Sequence, residues 1–209
     1  MSGARFRVKV CGMTRQADAD MCIRHGAGML GFIFHPASPR NIAPEDAAAI
    51  RTPGVVRVGV FVSQGVGEVQ DIMARAGLDI AQLAGDHDRA ACMAIGPQRV
   101  MRVFRPEVHA RRAGLEAELA AFDGAMALAL LDAGIAGGGH GRTLDFAGLA
   151  GLRSPTPWLL AGGLSPQTLP AALEQCAPDG VDLNSGVESA PGRKDEVLVG
   201  QALALLRGA

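Results

Sequence analysis

Short apolar runs alternate with alanine-rich amphipathic segments along the whole of this 209-residue sequence. Runs rich in valine, isoleucine, leucine and phenylalanine, bounded by glycine or polar residues, are typical of strands buried on both faces of a parallel sheet. The sequence predicts eight strands: Phe6–Cys11, Met29–Phe34, Val56–Val62, Ile80–Leu83, Arg99–Phe104, Ala125–Leu131, Trp158–Ala161 and Val181–Asn184. The alternation therefore indicates an α/β protein built from repeated strand–helix units.

The spacing of these units decides between two α/β architectures. Units of roughly 20 to 30 residues fit a compact (β/α)8 TIM barrel with eight parallel strands. A flavodoxin-like doubly wound sheet is the less favoured alternative, because it needs only about five or six strands and would leave two or three of the predicted units over. No linker-like or low-complexity tract divides the chain, so we expect a single barrel domain over residues 1–209. Helices are predicted at Arg15–His25, Pro44–Arg51, Val66–Ala76, Asp86–Ile95, Glu107–Ala121, a short piece from Asp145, Pro166–Cys176 and Lys194–Leu206.

The charge pattern points to a small-molecule ligand. The 20 basic and 21 acidic residues are interspersed and give a net charge of −1, so neither nucleic acid nor a membrane surface is an expected partner. Arginine supplies nearly all the positive charge, and Lys9 and Lys194 are the only lysines. The sequence shows no targeting signal and no apolar run of about 18 residues, which predicts a cytoplasmic protein. It does not indicate an oligomeric state.

The four cysteines form neither a CxxC pair nor a Cys/His pattern with metal-ligand spacing, so no metal site is predicted. Cys22, Cys92 and Cys176 lie in predicted helices and are interpreted as small buried hydrophobic residues. Cys11 differs, because it ends the first strand in the stretch VKVCGMT (residues 8–14). It is either a packed thiol or a group that takes part in chemistry.

Polar residues and glycines fall at the carboxyl ends of the predicted strands. In a TIM barrel these ends share one face, where active sites are built from the strand–helix loops. The residues that the pattern places there are Cys11, Arg40, Gln82, Asp132, Gly162, Gly163, Asn184, Ser185 and Gly186.

Two successive units end in glycine-containing loops that suit an anion. These are LLAGGLSPQTL (159–169) and GVDLNSGVES (180–189). Glycine lets backbone N–H groups approach a phosphate without a Cβ in the way, and barrels commonly bind phosphate after strands seven and eight. We expect a phosphate site at Gly162, Gly163, Ser185 and Gly186. Alternatively, these glycines only form tight turns at strand ends.

A third glycine-rich segment, AGGGHGRT (136–143), follows Asp132. Its length and flexibility favour a loop that closes over a ligand, with Gly138, Gly139 and Gly141 as its flexible residues. A disordered surface loop is the alternative.

Together these motifs resemble the phosphoribosylanthranilate isomerase family. The likeness rests on KVCGMT (9–14), GFIFHPASPR (31–40), VGVFV (58–62), LLDAGIAGGGHGRTLDF (130–146), LLAGGL (159–164) and VDLNSGVESAPGRKD (181–195). The resemblance implies a (β/α)8 barrel that catalyses an Amadori rearrangement in tryptophan biosynthesis without metal or cofactor. It further implies Cys11 as the general base, Asp132 as the general acid and Arg40 as the group that binds the anthranilate carboxylate.

The chemistry independently requires one acid and one base. Opening an aminofuranose ring needs a proton on the ring oxygen, and forming the enolamine needs a proton removed from the neighbouring carbon. Cys11 would need a cation or backbone amides to lower its pKa, and Asp132 would need an apolar setting to keep its proton. Arginine at position 40 could give a carboxylate two parallel hydrogen bonds. Asp182 and Glu188 match acidic positions of the family and are interpreted as supporting residues. A packed thiol at Cys11, a loop-capping Asp132 and a surface Arg40 are the alternatives.

Three positions depart from the family pattern. Ala84 replaces a histidine, Asn184 replaces the first of two serines, and Arg142 replaces a lysine. Two other functions remain open at this point: a related phosphosugar aminoaldose isomerase and a phosphosugar-binding paralogue without turnover.

Overall fold

The strands form a closed parallel barrel. The computed structural model describes residues 7–133 and 146–208. Each strand pairs with its neighbour in sequence, and the eighth pairs with the first, which closes the ring. The strands are β1 (Arg7–Val10), β2 (Met29–Ile33), β3 (Val56–Phe61), β4 (Ile80–Leu83), β5 (Val100–Phe104), β6 (Leu128–Asp132), β7 (Trp158–Ala161) and β8 (Gly180–Leu183). The TIM barrel is confirmed, and the flavodoxin-like alternative is wrong.

Seven α-helices follow the strands. They are α1 (Gln16–His25), α2 (Pro44–Ala49), α3 (Val66–Ala76), α4 (Arg89–Ile95), α5 (Arg112–Ala121), α6 (Leu169–Gln175) and α7 (Glu196–Leu205), all within the described part of the chain. Short 3-10 helices lie at Pro97–Arg99, Pro106–Val108, Ala147–Leu149, Ser185–Val187 and Leu206–Gly208. Within residues 7–133 and 146–208, no helix has the length and apolar character needed to cross a bilayer.

Several predicted helix boundaries were wrong, and local backbone structure explains the differences. The side chain of Asp88 accepts a hydrogen bond from the amide of Ala91 at 2.8 Å, so α4 begins at Arg89 and not at Asp86. Asp195 caps α7 in the same way, which moves that start from Lys194 to Glu196. The predicted helix Glu107–Ala121 is interrupted, because Pro106 opens a separate 3-10 turn and Arg111 has extended backbone.

Side chains alternate between the inside of the barrel and the layer between sheet and helices. Most of the inside is apolar, and its fully buried members include Val58, Met101 and Leu159. Toward the carboxyl ends of the strands the filling becomes polar, with Lys9, Gln82 and Asp182 all buried. The barrel is therefore filled with apolar side chains along most of its length and has buried polar side chains toward the carboxyl ends of its strands.

A hairpin after β8 joins the site to the first loop. It consists of β9 (Glu188–Ala190) and β10 (Arg193–Lys194). The Thr14 hydroxyl donates a hydrogen bond to the carbonyl of Gly192 at 2.7 Å, and the Gly192 amide donates to Glu188 at 3.2 Å. These contacts fix the hairpin against the loop that carries Cys11.

Candidate active site

A cavity of about 350 Å³ opens at the carboxyl ends of the strands. That volume lies in the range of small-molecule sites, roughly 300–1,000 Å³. Its polar lining comes from several strands, while its walls are apolar. The polar and glycine residues are Cys11, Gln82, Asp132, Gly162, Gly163, Asp182, Asn184, Ser185 and Gly186, and the apolar ones include Ile33, Val60, Ala84 and Leu130. The structure thus brings together the residues predicted for acid–base chemistry and for phosphate binding.

Cys11 stands where β1 turns away from the barrel. Its amide donates to the carbonyl of Leu183 at 2.8 Å, and its side chain is buried beside Ile33 and Val60. The next residue, Gly12, has a positive φ of 81°, and a Cβ there would lie 2.8 Å from both Arg40 Cδ and Asn184 Oδ1. The glycine therefore lets the first loop, Arg40 and the loop after β8 meet closely.

Lys9 lies beneath Cys11 on the same face of β1. Its Nζ donates to both carboxylate oxygens of Asp182 at 2.9 Å, and its side chain is fully buried. A Cβ on Gly31 would fall 2.7 Å from Cys11 Sγ and 2.9 Å from Lys9 Nζ. The ammonium and the thiol therefore border the same space above Gly31.

Burial and charge act in opposite directions on these groups. Burial raises the pKa of Cys11, the Lys9 ammonium lowers it, and the net shift is upward. Burial also opposes the charge on Lys9, but the facing Asp182 carboxylate raises the pKa of Lys9 overall. For Asp182, burial raises the pKa and Lys9 lowers it. The cation that the sequence analysis required beside Cys11 is present, although burial outweighs its effect.

A second ionic cluster holds Arg40 beside the cavity. Arg40 Nε donates to the two Glu188 oxygens at 3.0 and 3.1 Å, and Nη2 donates to Oε2 at 2.6 Å. Lys194 Nζ donates to the same carboxylate at 2.8 Å and to Asn184 Oδ1 at 3.2 Å. Burial favours the neutral form of Glu188, but hydrogen bonds from Arg40 and Lys194 lower its pKa overall. Arg40 is not among the residues that line the cavity, and Glu188 binds the Nε–Nη2 edge of its guanidinium.

The loops after β7 and β8 lie together where the sequence predicts a phosphate site. Gly162 and Gly163 have φ values of 103° and 62°, a conformation that favours glycine. A Cβ on Gly186 would lie 2.1 Å from the carbonyl oxygen of Leu164, so the two loops are in contact through that glycine. This corner of the cavity thus offers backbone amides of both loops, and Gly186 lies where the two loops are nearest to each other.

Gly186→Ala should weaken binding of a phosphorylated ligand. The added methyl group would push apart the loops after β7 and β8, and losing one charge-assisted hydrogen bond costs about 1.5–3 kcal/mol. We expect KM to rise about ten- to hundredfold in steady-state kinetics. Gly67→Ala is the matched control, since a Cβ at this helical glycine meets nothing within 4 Å. An unchanged KM in the Gly186 variant would contradict the assignment of the corner.

Two departures from the family pattern have visible consequences. Ala84 lines the cavity where the family has a histidine, and nearby Gln82 Oε1 is buried without a hydrogen-bond partner among the described residues. Asn184 accepts hydrogen bonds from Lys194 through both its backbone and its side-chain oxygen.

The predicted closing loop, with Gly138, Gly139 and Gly141, lies outside the described residues, as does Arg142.

Sequence reasoning assigned no role to Lys9 or Lys194. A signal was present, because they are the only two lysines in an arginine-rich chain. Both have fully buried side chains that donate to buried carboxylates. Buried lysine is uncommon unless it is paired, so the two lysines mark the two ionic clusters of the site.

The fold defines the class of this protein: it is a (β/α)8 barrel with a cavity at the carboxyl ends of its strands, the face that carries the active site in enzymes of this fold. The family model described as N-(5′-phosphoribosyl)anthranilate (PRA) isomerase matches residues 8–204. The chain belongs to this family.

Individual relatives agree with that assignment. The N-(5′-phosphoribosyl)anthranilate isomerase of Desulfovibrio desulfuricans is 53% identical over 198 residues, which cover 95% of this chain and 94% of the relative. The crystal structure of the Thermotoga maritima phosphoribosylanthranilate isomerase superposes with a TM-score of 0.86 at 32% identity, covering 97% of this chain and 99% of that one. A phosphoribosylanthranilate isomerase solved with reduced 1-(o-carboxyphenylamino)-1-deoxyribulose 5-phosphate gives a TM-score of 0.82 at 30% identity, covering 97% and 99%.

Proposed function

We propose that this chain catalyses the Amadori rearrangement of N-(5′-phosphoribosyl)anthranilate to 1-(o-carboxyphenylamino)-1-deoxyribulose 5-phosphate, a step of tryptophan biosynthesis. The observation that carries the proposal is the cavity itself, where Cys11, Asp132 and the glycine loops after β7 and β8 converge. A relative with the same fold binds a reduced form of that product. The route uses acid–base chemistry and requires no cofactor or metal.

In this proposal the phosphate of the substrate anchors the sugar. It binds to Gly162, Gly163, Ser185 and Gly186, whose backbone N–H groups can approach an anion closely. Anchoring at one corner of the cavity fixes the distance of the ribose from Cys11 and Asp132. Such positioning converts binding energy into correct orientation of the reacting atoms.

Asp132 acts as the general acid. It donates its proton to the ring oxygen of the ribose as the bond between that oxygen and C1′ breaks, and the nitrogen lone pair forms the protonated imine. Asp132 shares the cavity lining with the apolar residues Leu130 and Val103. The carboxylate that remains can later take up a proton.

Cys11 acts as the general base. Its thiolate removes the proton from C2′, and the electron pair of that C–H bond neutralises the imine to give an enolamine. Tautomerisation then moves a proton to C1′ and produces the ketone. The base directly follows β1 and the acid is the last residue of β6, so the sugar can lie between them in the cavity.

Arg40 binds the anthranilate carboxylate. Glu188 orders its guanidinium through three hydrogen bonds, and Lys194 balances the charge of Glu188. To bind the substrate, Arg40 must either contact the anthranilate and Glu188 carboxylates together or release Glu188. A planar guanidinium can do so with two parallel hydrogen bonds, which lysine cannot offer.

Substitution of Arg40 should affect substrate binding selectively. We expect Arg40→Lys to raise KM for phosphoribosylanthranilate about ten- to hundredfold, because the charge remains but the bidentate pair is lost. For the phosphoribosyl derivative of aniline, which has no carboxylate, the same variant should match the wild type. Equal losses on both substrates would show that Arg40 serves only to hold the hairpin.

The pH dependence should reflect the burial of Cys11. Because burial raises the pKa of this thiol, the thiolate forms only at higher pH than for an exposed thiol, near 8.5. We therefore expect alkylation of Cys11 by iodoacetamide in the wild type, which depends on the thiolate alone, to increase with pH and to continue increasing above pH 8.5. A midpoint of this profile clearly below pH 8.5 would contradict a thiol whose pKa is raised by burial.

The direct test is turnover of freshly generated phosphoribosylanthranilate by the purified protein. We expect loss of substrate fluorescence together with a product of unchanged mass. Tight binding of the reduced product without turnover would instead identify a phosphosugar-binding paralogue. A cytoplasmic location and the lack of nucleic acid or membrane partners remain predictions from the sequence.

A further inference from the structure

We propose that Lys9 is a positioning residue of the acid–base site: its ammonium, fixed inside the barrel by Asp182, stabilises the thiolate of Cys11. This inference rests on the proposed function only in that it assumes Cys11 is the base. It assigns a role to a buried ion pair that binding of phosphate or carboxylate does not require.

The geometry places the ammonium within reach of the sulfur. Lys9 lies on β1, and Cys11 directly follows that strand two residues further on, so both side chains lie on the same face of the chain. Lys9 Nζ lies 2.9 Å, and Cys11 Sγ 2.7 Å, from the position that a Cβ on Gly31 would occupy. Any larger residue at position 31 would fill the space that the two groups share.

Asp182 fixes the position of the ammonium. Lys9 and Asp182 are register partners on β1 and β8, and Nζ donates to both carboxylate oxygens at 2.9 Å. An ammonium has three N–H donors, so the pair with Asp182 leaves one donor for the sulfur. A flexible lysine side chain is thereby held in one orientation.

The other charged groups around Cys11 do not replace Lys9. Lys194 on β10 and Arg40 after β2 both pair with Glu188. Asp182 on β8 faces Cys11 with a carboxylate, which raises the pKa of the thiol and disfavours a thiolate. The ammonium of Lys9 lowers the pKa of Cys11 more than Asp182 raises it. Lys9 is thus the main electrostatic support for an anionic sulfur in this apolar setting.

The test compares the wild type with the double variant Lys9→Met/Asp182→Asn. Removing both charges avoids an unpaired buried ion, so the barrel should still fold. Alkylation of Cys11 by iodoacetamide is followed against pH, with mass spectrometry of the peptide that contains it. We expect the midpoint of the pH profile to rise by about one unit or more, which makes alkylation at pH 7 at least about tenfold slower. Cys22, Cys92 and Cys176 in the same sample are internal controls whose profiles should not move.

The readout is independent of turnover. A folded double variant with an unchanged or lower midpoint would overturn the inference, even if the wild type is an active isomerase. If the midpoint rises but the wild type does not turn over phosphoribosylanthranilate, the inference stands and the proposed function fails. Circular dichroism checks folding, and Lys9→Gln/Asp182→Asn carries the same expectation if the first variant does not fold. In an active enzyme, kcat should fall in the double variant with KM largely retained.

Discussion

Cys11→Ala is expected to lower kcat/KM for phosphoribosylanthranilate by about 10²- to 10⁴-fold, and Asp132→Asn is expected to do the same, because general acid–base catalysis contributes gains of that size. Neither substitution should displace the phosphate corner, whose glycines lie after β7 and β8. Steady-state fluorescence kinetics give the rates, and titration with the reduced product gives the affinity. We expect the affinity to stay close to that of the wild type.

Cys92→Ala is the matched control for the thiol. Cys92 is also fully buried, but it lies on α4 away from the cavity. Its loss should leave kcat/KM within about twofold of the wild type, since it contributes only packing. If the Cys92 and Cys11 variants lost activity equally, the effect would be one of folding and Cys11 would have no special part in the reaction.

Lys9→Met is expected to destabilise the protein by about 3–5 kcal/mol, which is the usual cost of breaking a buried ion pair. The variant leaves the Asp182 carboxylate inside the barrel without its cation. Adding Asp182→Asn should recover much of this loss, because no unpaired charge then remains. Urea denaturation of the two variants and the wild type measures the free energy of unfolding.

A surface ion pair offers the control for this stability prediction. Arg75 and Glu45 make a salt bridge of 2.5 Å, but both side chains are largely exposed. Solvent screens such pairs, so Arg75→Ala should leave the urea midpoint almost unchanged. A Lys9→Met variant as stable as Arg75→Ala would contradict the description of a buried, charged pair.

The strands were predictable because their signal is local. Ile80–Leu83 and Trp158–Ala161 appear with the expected boundaries, and α3 also begins and ends as expected at Val66–Ala76. Apolar runs bounded by glycine or polar residues suffice for this, since each strand is buried on both faces. The predicted start of α5 was wrong, because a run of helix-forming residues does not reveal that the backbone of Arg111 is extended.

The ionic clusters could not be predicted in detail, since their partners are far apart in sequence. Lys9 and Asp182 are 173 positions apart, and Arg40 and Glu188 are 148 apart. The sequence placed Arg40 near the site by resemblance, but only the folded barrel shows its guanidinium bound to Glu188. Closure of the ring brings β8 against β1, and this long-range contact creates the environment of Cys11.

A crystal structure of this protein with reduced 1-(o-carboxyphenylamino)-1-deoxyribulose 5-phosphate would test the proposed site most directly. We expect the phosphate on the amides of Gly162, Gly163, Ser185 and Gly186, the sulfur of Cys11 facing C2′, and Asp132 on the other side of the sugar. A sugar bound so that either Cys11 or Asp132 faces away from it would contradict the central claim.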